Sequence, residues 1–351
     1  MKICFYSDRM QFDGDWLEKR GLGGSESALI NLTTIWKQKY PKDEITIYNG
    51  NREKQIFNDV TYKSINDFRI ECKNFNQDVF VSFRETTPLK ESYIGAKKII
   101  FFSEDDSNEI TIQEIKNNLY IQNRIDLLLA VSEYAKNDIK KFGITTPIEI
   151  LRNGYRQDWI DKNDCKEEHI CVYTSTPFRG LTVLSEVWPE IYKKCNEKDI
   201  KPKLEIYTGM GLYNQFDNPF LELYKKLKSQ PNVEVFPPIC QRELYKKLGR
   251  SSVMLYPNFY TETSCMSVLE SLANDVWVVT TDLGALGEQV KDGFNGYLIS
   301  GDSRSKEYQE EFIEKSVEAI CNPIKRTSAG LIFTWDEQVD KFRRMIEERI
   351  Y

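Results

Sequence analysis

Short apolar runs alternate with longer amphipathic segments along almost the whole chain, and this alternation limits the possible folds. Near the start, the strand-like runs are KICFYS, EITIYNG, DVFVSFRE, KKIIFFSE and DLLLAVS, with helix-like segments such as SESALINLTTIWKQKY between them. Nearly continuous apolar runs are typical of parallel strands that are covered on both faces. In SEYAKNDIKKFG, Ser132 is a predicted N-cap and Gly143 a predicted stop. The pattern predicts a doubly wound α/β domain.

The alternation restarts after a polar stretch, RQDWIDKNDCKEEH, at residues 156–169. The later strand-like runs are ICVYTS, KLEIYTG, VEVFPP, SVMLYP, VWVVTT and GYLIS. With 351 residues, the chain has room for two domains of ordinary size. We predict an N-terminal domain over 1–156, a second doubly wound domain over 157–330 and a C-terminal helix over 331–351. Thr334 and Glu337 have the spacing of a capping box at the start of that helix.

Composition excludes several classes of function. The 48 basic and 54 acidic residues give a net charge of −6, which argues against broad nucleic-acid binding. There is no apolar run of about 18 residues and no signal-peptide pattern at the start, so we expect a cytoplasmic protein without a membrane span, although peripheral membrane contact stays open. The eight cysteines form no C-x-x-C pair. The sequence has a single histidine, His169. It cannot serve both in a Ser-His-Asp triad and in a metal site that needs two imidazoles.

Two carboxylates, Glu262 and Glu270, are separated by seven residues in a predicted strand, loop and helix. A carboxylate accepts hydrogen bonds from hydroxyl groups. The amides of Thr263 to Met266 are predicted to lie at the start of the helix, where N–H groups without a helical partner favour an anion. This spacing suits a ligand with hydroxyls at both ends and negative charge between them, such as a nucleotide sugar. Glutamates also occur near helix starts as ordinary caps, so the spacing alone leaves both interpretations open.

The surrounding sequence resembles the retaining glycosyltransferases of family four. The resemblance lies in P-x-x-x-x-E-T-S-C-M-S-V-L-E-S-L-A and in the following T-D-L-G-A-L-G-E-Q-V-K-D-G-F-N-G-Y-L. It covers nearly the whole chain and is specific from 170 to 300. It implies the GT-B fold: two Rossmann-like domains facing across a cleft, with a C-terminal helix that could pack back on the first. It also implies that Glu262 contacts the donor sugar and Glu270 the ribose, without a metal or other cofactor.

Two further motifs gain a role from the resemblance. GLGGSES, residues 21–27, reads locally as a glycine turn capped by Ser25, but it resembles the family's glycine loop, so Gly23 and Gly24 are predicted to face the diphosphate. In STPFRGL, Arg179 takes the second of two cation positions, and the first is Thr174. The missing cation could come from one of three other arginines: Arg152, Arg156 or Arg84.

The remaining site predictions are less specific. FFSEDD, residues 101–106, places Glu104, Asp105 and Asp106 where relatives carry a residue close to the reacting sugar, and we assign Asp105 that role; a helix N-cap is the alternative. The resemblance also assigns donor contacts to residues of other loops and of the helix start: Gly209, Ile239, Thr263, Ser264, Cys265 and Met266.

These observations predict a retaining glycosyltransferase. The donor would be a UDP- or GDP-linked sugar, and the acceptor a hydroxyl group of a glycan or glycoconjugate. A nucleotide-sugar epimerase or a phosphorylase on the same fold, and a non-catalytic scaffold, are alternatives. An NAD dehydrogenase is disfavoured because no G-x-G-x-x-G follows a first strand. The base, the sugar, the acceptor and the oligomeric state stay open.

Overall fold

A computed structural model describes residues 1–74, 76–91, 93–161, 166–167, 169–322 and 331–350. The chain divides into two compact units. Unit 1 comprises Met1–Trp16, Ser25–Gly154 and Phe333–Tyr351, and unit 2 comprises Leu17–Gly24 and Tyr155–Ile332. The polar stretch at residues 156–169 lies partly outside the described residues. Among the described residues, no helix is long and apolar enough to cross a lipid bilayer.

The predicted alternation of strands and helices is confirmed in both units. In chain order the strands are β1 (Lys2–Tyr6), β2 (Glu44–Tyr48), β3 (Gln55–Phe57), β4 (Val60–Lys63), β5 (Gln77–Phe83), β6 (Ala96–Phe102), β7 (Leu127–Ala130), β8 (Ile148–Ile150), β9 (Gly154–Tyr155), β10 (Ile170–Tyr173), β11 (Lys203–Tyr207), β12 (Val233–Phe236), β13 (Val253–Tyr256), β14 (Trp277–Thr281), β15 (Gly296–Ile299) and β16 (Phe333–Thr334). The α-helices are α1 (Trp16–Lys19), α2 (Gly24–Lys39), α3 (Ile65–Glu71), α4 (Ile110–Asn117), α5 (Leu119–Gln122), α6 (Glu133–Phe142), α7 (Leu181–Asn196), α8 (Leu221–Lys228), α9 (Gln241–Arg250), α10 (Met266–Ala273), α11 (Leu286–Gln289), α12 (Lys306–Cys321) and α13 (Trp335–Ile350).

Unit 1 is built on a sheet with the strand order β3-β4-β2-β1-β5-β6-β7-β8. Its pairs are parallel, apart from the antiparallel β3 and β4. The predicted ends of α6 are confirmed, because the Ser132 hydroxyl accepts from the Ala135 amide at 3.0 Å and Gly143 has φ of +98°. The order of the strands changes direction between β1 and β5, which is where open α/β sheets bind ligands.

Helix α13 packs on unit 1 through an apolar stripe. Val339 and Phe342 are fully buried, and the Phe342 ring meets Trp36 edge-on at 5.5 Å. The capping box is present: the Thr334 amide donates to the Glu337 carboxylate at 2.7 Å, and the Glu337 amide donates to the Thr334 hydroxyl at 3.2 Å. The C-terminal helix therefore packs on the first domain, as the sequence predicts.

Unit 2 carries a parallel sheet with the order β12-β11-β10-β13-β14-β15. This is the strand order of a doubly wound dinucleotide-binding fold, and its switch point lies between β10 and β13. The loops that leave these two strands at the switch point are residues 174–180 and 257–265. They contain Arg179 and Glu262, so the topology brings two predicted site residues to the same edge of one sheet.

Residues 17–24 group with unit 2, whereas the predicted boundary places them in the N-terminal domain. The cause is close packing at Gly21: a Cβ added there would lie 2.7 Å from Cβ of Pro238 and 2.9 Å from Cδ2 of Leu212. Arg20 adds a hydrogen bond from Nη2 to Oδ1 of Asn214 at 3.1 Å. The sequence offers no sign of this grouping, since it depends on residues about 200 positions away.

Candidate functional site

Glu262 and Arg179 form a buried ion pair at the switch point of unit 2. Nη1 of Arg179 donates to Oε1 of Glu262 at 2.8 Å and to Oε2 at 3.0 Å. The Tyr256 hydroxyl, at the end of β13, donates to Oε1 at 2.6 Å. Glu262 is only 3% exposed, so its charge is held by these donors rather than by water.

Two glycines allow the loops that carry this pair to approach each other. Gly180 has φ of +105°, and a Cβ there would lie 2.3 Å from the carbonyl oxygen of Pro257. Gly284 has φ of +64°, and a Cβ there would lie 2.3 Å from the carbonyl oxygen of Glu262. That same oxygen accepts from the Ala285 amide at 2.7 Å. The position of Glu262 is thus fixed by backbone contacts that only glycine permits.

The charge of Arg179 is balanced before any ligand binds. Burial works against the guanidinium, but the adjacent Glu262 carboxylate raises the pKa of Arg179 above its ordinary value. Among the described residues, Nε of Arg179 has no hydrogen-bond partner. Because Nε is buried, a ligand anion would bind the terminal nitrogens of Arg179, in competition with Glu262.

Glu270 lies on α10 and is buried, with its carboxylate accepting a hydrogen bond from Nε2 of Gln241 on α9. Burial raises the pKa of Glu270 to about 7, although the hydrogen bond from Gln241 opposes this shift. The neighbouring Tyr245 hydroxyl accepts from the Arg156 amide at 3.0 Å. A ligand that brings hydroxyl donors to Glu270 would favour its ionised form.

The start of α10 differs in one detail from the prediction that its amides are open. The helix begins at Met266 after the cap residue Cys265, and the Cys265 amide donates to Oε1 of Gln289 at 3.2 Å. That amide is therefore already used within the protein. Thr263 and Ser264 lie in the loop between Glu262 and the cap. The Ser267 hydroxyl, in the first turn, donates to the carbonyl of Thr174 at 2.6 Å.

The predicted donor-binding loops are close to one another within unit 2. A Cβ added to Gly24, next to Gly23, would lie 3.3 Å from Cγ of Met266. A Cβ added to Gly21 would lie 3.2 Å from the carbonyl oxygen of Ile239, and one added to Gly209 would lie 2.8 Å from Cδ of Pro238. The glycine segment therefore runs from the loop 237–240 to the start of α10.

Asp105 lies in unit 1 and forms a bidentate ion pair with Arg84. Arg84 donates from Nε and from Nη2 to the two Asp105 oxygens, each at 2.8 Å. Arg84 itself has φ of +59°, an uncommon conformation for a residue with a side chain. This pair engages both Asp105 oxygens within unit 1 and places Arg84 beside its own counter-ion. The role of Asp105 near the reacting sugar stays a prediction.

Glu104, in the same cluster, is buried. Burial raises its pKa to about 8, against the opposing hydrogen bond from Nδ2 of Asn153 at 3.1 Å. Asp106 has a local role instead, since its Oδ1 accepts from the Asn108 amide at 2.9 Å. Burial therefore favours the protonated form of Glu104. The sequence shows three adjacent acids and does not distinguish their environments.

The other proposed cations are engaged elsewhere. Arg156, in unit 2, donates from Nε and Nη2 to Asp158 at 2.7 and 2.6 Å and lies 4.1 Å from the centre of the Trp159 ring. Arg152, in unit 1, lies 6.0 Å from the centre of the Phe333 ring. Where the family has its first cation, the Thr174 hydroxyl is buried without a partner among the described residues. The second phosphate-binding cation stays a prediction.

Sequence reasoning missed several residues that hold the site together, chiefly Tyr256, Gln241 and Arg20. A tyrosine at the end of a buried strand looks the same in sequence whether it packs in the core or donates to a carboxylate. Among the described residues, no group of three or more His, Cys, Asp or Glu side chains is placed to hold a metal ion.

Comparison with known proteins finds similarity to glycosyltransferases over part of the chain. Residues 160–323 match the family model described as "Glycosyl transferases group 1". A curated relative, "Uncharacterized glycosyltransferase MJ1178" of Methanocaldococcus jannaschii, is 22% identical over 236 residues, which are 65% of this chain and 61% of that protein. The match thus spans less than two thirds of the relative's own length.

Solved structures resemble the chain over nearly its full length. The crystal structure of Anabaena Alr3699/HepE in complex with UDP-glucose has a TM-score of 0.71 at 12% identity, covering 99% of this chain and 100% of that one. Sucrose-phosphate synthase from Thermosynechococcus elongatus has a TM-score of 0.70 at 10% identity, covering 99% and 98%. At such identities the likeness shows the fold, and it confirms the two Rossmann-like domains. The chain therefore has the GT-B fold, and its residues 160–323 are similar to the glycosyl transferases group 1 family.

Proposed function

We propose that the protein transfers a sugar from a nucleotide sugar to a hydroxyl group of a glycan or glycoconjugate, with retention at the anomeric carbon. The observation that carries this proposal is the pair of buried carboxylates Glu262 and Glu270 on either side of the α10 start. Glu262 would accept from hydroxyls of the transferred sugar, and Glu270 from those of the ribose. The structure of HepE with UDP-glucose supports a uridine donor as the first to test.

Binding of the diphosphate would rearrange the pair of Arg179 and Glu262. A leaving diphosphate carries roughly two to three negative charges, and cationic contacts stabilise its departure. Arg179 would turn part of its hydrogen bonding toward phosphate oxygens, which would release Glu262 oxygens for sugar hydroxyls. This exchange couples recognition of the diphosphate to recognition of the sugar. Backbone amides in the first turn of α10 would supply further donors.

The reaction would proceed on one face of the donor sugar. The acceptor oxygen forms a bond to the anomeric carbon as the bond from that carbon to the diphosphate oxygen breaks. The acceptor proton passes to the departing phosphate oxygen, and the products are a glycoside and a nucleoside diphosphate. No protein nucleophile is required. We assign acceptor selection to unit 1, where Glu104 could donate a hydrogen bond while protonated.

A donor screen tests the proposal. Purified protein is incubated with UDP- and GDP-linked hexoses, and release of nucleoside diphosphate is measured with and without candidate glycan acceptors. We expect release with one base, acceleration by an acceptor, and a product whose anomeric proton in NMR shows the donor configuration. Inverted product would refute retention.

The same screen separates the alternatives. Rearrangement of the donor sugar without acceptor would identify an epimerase, and consumption of glycoside by inorganic phosphate a phosphorylase. Absence of turnover, together with no rise in melting temperature with any donor, would favour a non-catalytic scaffold.

A further inference from the structure

Two aromatic side chains are exposed immediately before Glu262. Phe259 is 38% exposed and Tyr260 is 46% exposed, on the loop that leaves β13 at the switch point of unit 2. Large aromatic side chains in water are unfavourable and are commonly found where a ligand covers them. Their position next to the proposed sugar-side carboxylate indicates which ligand this could be.

Hydrogen bonds from the buried residue Asn258 hold the turn that carries these two aromatic side chains. Asn258 is fully buried; its Nδ2 donates to the carbonyl of Tyr260 at 2.5 Å, and its Oδ1 accepts from the Tyr260 amide at 2.8 Å. The Asn258 carbonyl accepts from the Thr281 hydroxyl on β14 at 2.6 Å. Tyr260 is therefore presented on a fixed backbone, so little entropy is lost when a ligand packs against it.

Tyr260 is also linked to the ion pair of the site. The guanidinium carbon of Arg179 lies over the Tyr260 ring, 4.5 Å from its centre, and the Phe178 ring meets Tyr260 edge-on at 6.0 Å. Arg179 in turn donates to Glu262. With these contacts in place, Tyr260 as a residue is still 46% exposed. An aromatic surface, a guanidinium and a carboxylate thus lie side by side.

We propose that Tyr260, flanked by Phe178 and Phe259, is a stacking platform for a pyranose ring of a sugar substrate. One face of a pyranose presents mainly C–H groups, which are weakly positive and apolar and so match the negative face of an aromatic ring. The hydroxyls at the edge of that pyranose would reach Arg179 and Glu262. This inference rests on the proposed function, because it takes Glu262 as the residue beside the sugar.

The stacked ring could belong to the donor or to the acceptor, and kinetics separate the two. Tyr260→Ala and Tyr260→Phe are compared with Tyr120→Ala. Tyr120, in unit 1, is a matched control because it is also exposed and lies 5.3 Å from an arginine, Arg124. Donor hydrolysis without acceptor reports the donor sugar, and transfer at saturating donor reports the acceptor. The affinity for free UDP is measured for each protein.

We expect Tyr260→Ala to raise KM for one sugar substrate roughly tenfold, while Tyr260→Phe stays within about twofold of wild type and Tyr120→Ala is unchanged. A rise in donor KM places the donor sugar on the ring, and a rise in acceptor KM places the acceptor. The affinity for UDP should not change, because UDP has no pyranose. If Tyr260→Ala and Tyr120→Ala behave alike, or if UDP binding weakens as much as sugar binding, the platform is refuted.

A test that needs no turnover separates failure of the platform from failure of the proposed function. Saturation-transfer difference NMR is recorded with methyl glycosides of common hexoses. We expect signals from pyranose C–H protons with the wild type and Tyr260→Phe, and their loss with Tyr260→Ala. These signals without any nucleotide-sugar turnover would keep the platform and remove the transferase. Nucleotide-sugar turnover that Tyr260→Ala does not change would support the transferase and refute the platform.

Discussion

Replacing Glu262 with glutamine removes one charge and nearly preserves the size of the side chain. The carboxylate accepts two hydrogen bonds from Arg179 and one from Tyr256, at 2.6 to 3.0 Å. Glutamine has one acceptor oxygen, and its amide group would face a donor. Arg179 would then lose its counter-ion while its side chain is only 21% exposed.

The cost follows from that burial. Removing one partner of a fully buried ion pair costs about 3–5 kcal/mol, and the partial exposure of Arg179 reduces this to about 2–3 kcal/mol. For a unit of this size the melting temperature should fall by roughly 4–10 °C. Loss of a charged contact to the reacting sugar should lower kcat by about 10²- to 10³-fold.

Unit 2 offers a matched control in Glu205. This glutamate is 1% exposed, and it accepts from Arg250 at 2.7 Å and from the Tyr207 hydroxyl at 2.7 Å. Glu205→Gln should lower the melting temperature to a similar extent and leave nucleoside diphosphate release unchanged, measured by a coupled assay. If Glu262→Gln keeps wild-type turnover, or if both variants lose it equally, Glu262 has no special role in the reaction.

Further predictions concern Glu270 and the glycines. The pKa of about 7 for Glu270 in the folded protein is higher than the pKa of a glutamate in the unfolded chain. The protonated carboxyl therefore stabilises the fold at low pH, and this stabilisation is lost as pH rises through 7. The melting temperature of Glu270→Gln should accordingly rise further above that of wild type between pH 5 and pH 8, and this variant should bind UDP more weakly. Gly284→Ala should cost about 1–3 kcal/mol more than Gly293→Ala and should abolish turnover, because both have positive φ but only Gly284 touches the backbone of the sugar-side glutamate. Gly21→Ala should loosen residues 17–24, seen as faster hydrogen exchange, and should weaken UDP binding, whereas Gly211→Ala, with open space around it, should do neither.

The longer strands and helices could be predicted from sequence because the hydrophobic pattern and the capping residues that define them lie within the element itself. The capping box at Thr334 and the end of α6 at Gly143 are examples, since their geometry depends on residues within one turn. The short strands β3 and β8 were not predicted, because three residues are too few for a period to emerge. After α10, the residue in the left-handed conformation is Asp275, with φ of +54°, a feature that no glycine in the sequence marks.

The site was predictable as a set of residue types, but not as a set of contacts. Spacing and family resemblance select Glu262, Glu270 and Arg179, and they do not show that Arg179 is already paired with Glu262. Which carboxylate of residues 104–106 pairs with Arg84 is likewise not visible in the sequence. Such pairings are decided by side-chain packing across loops far apart in sequence, which leaves no local pattern.

A crystal structure of the protein with UDP-glucose or GDP-mannose tests the assignment of the two carboxylates most directly. We expect ribose hydroxyls within hydrogen-bond distance of Glu270, hydroxyls of the hexose at Glu262, and Arg179 turned from Glu262 toward the diphosphate. A nucleotide bound elsewhere, or one bound with Arg179 and Glu262 still paired and the hexose away from both, would contradict it.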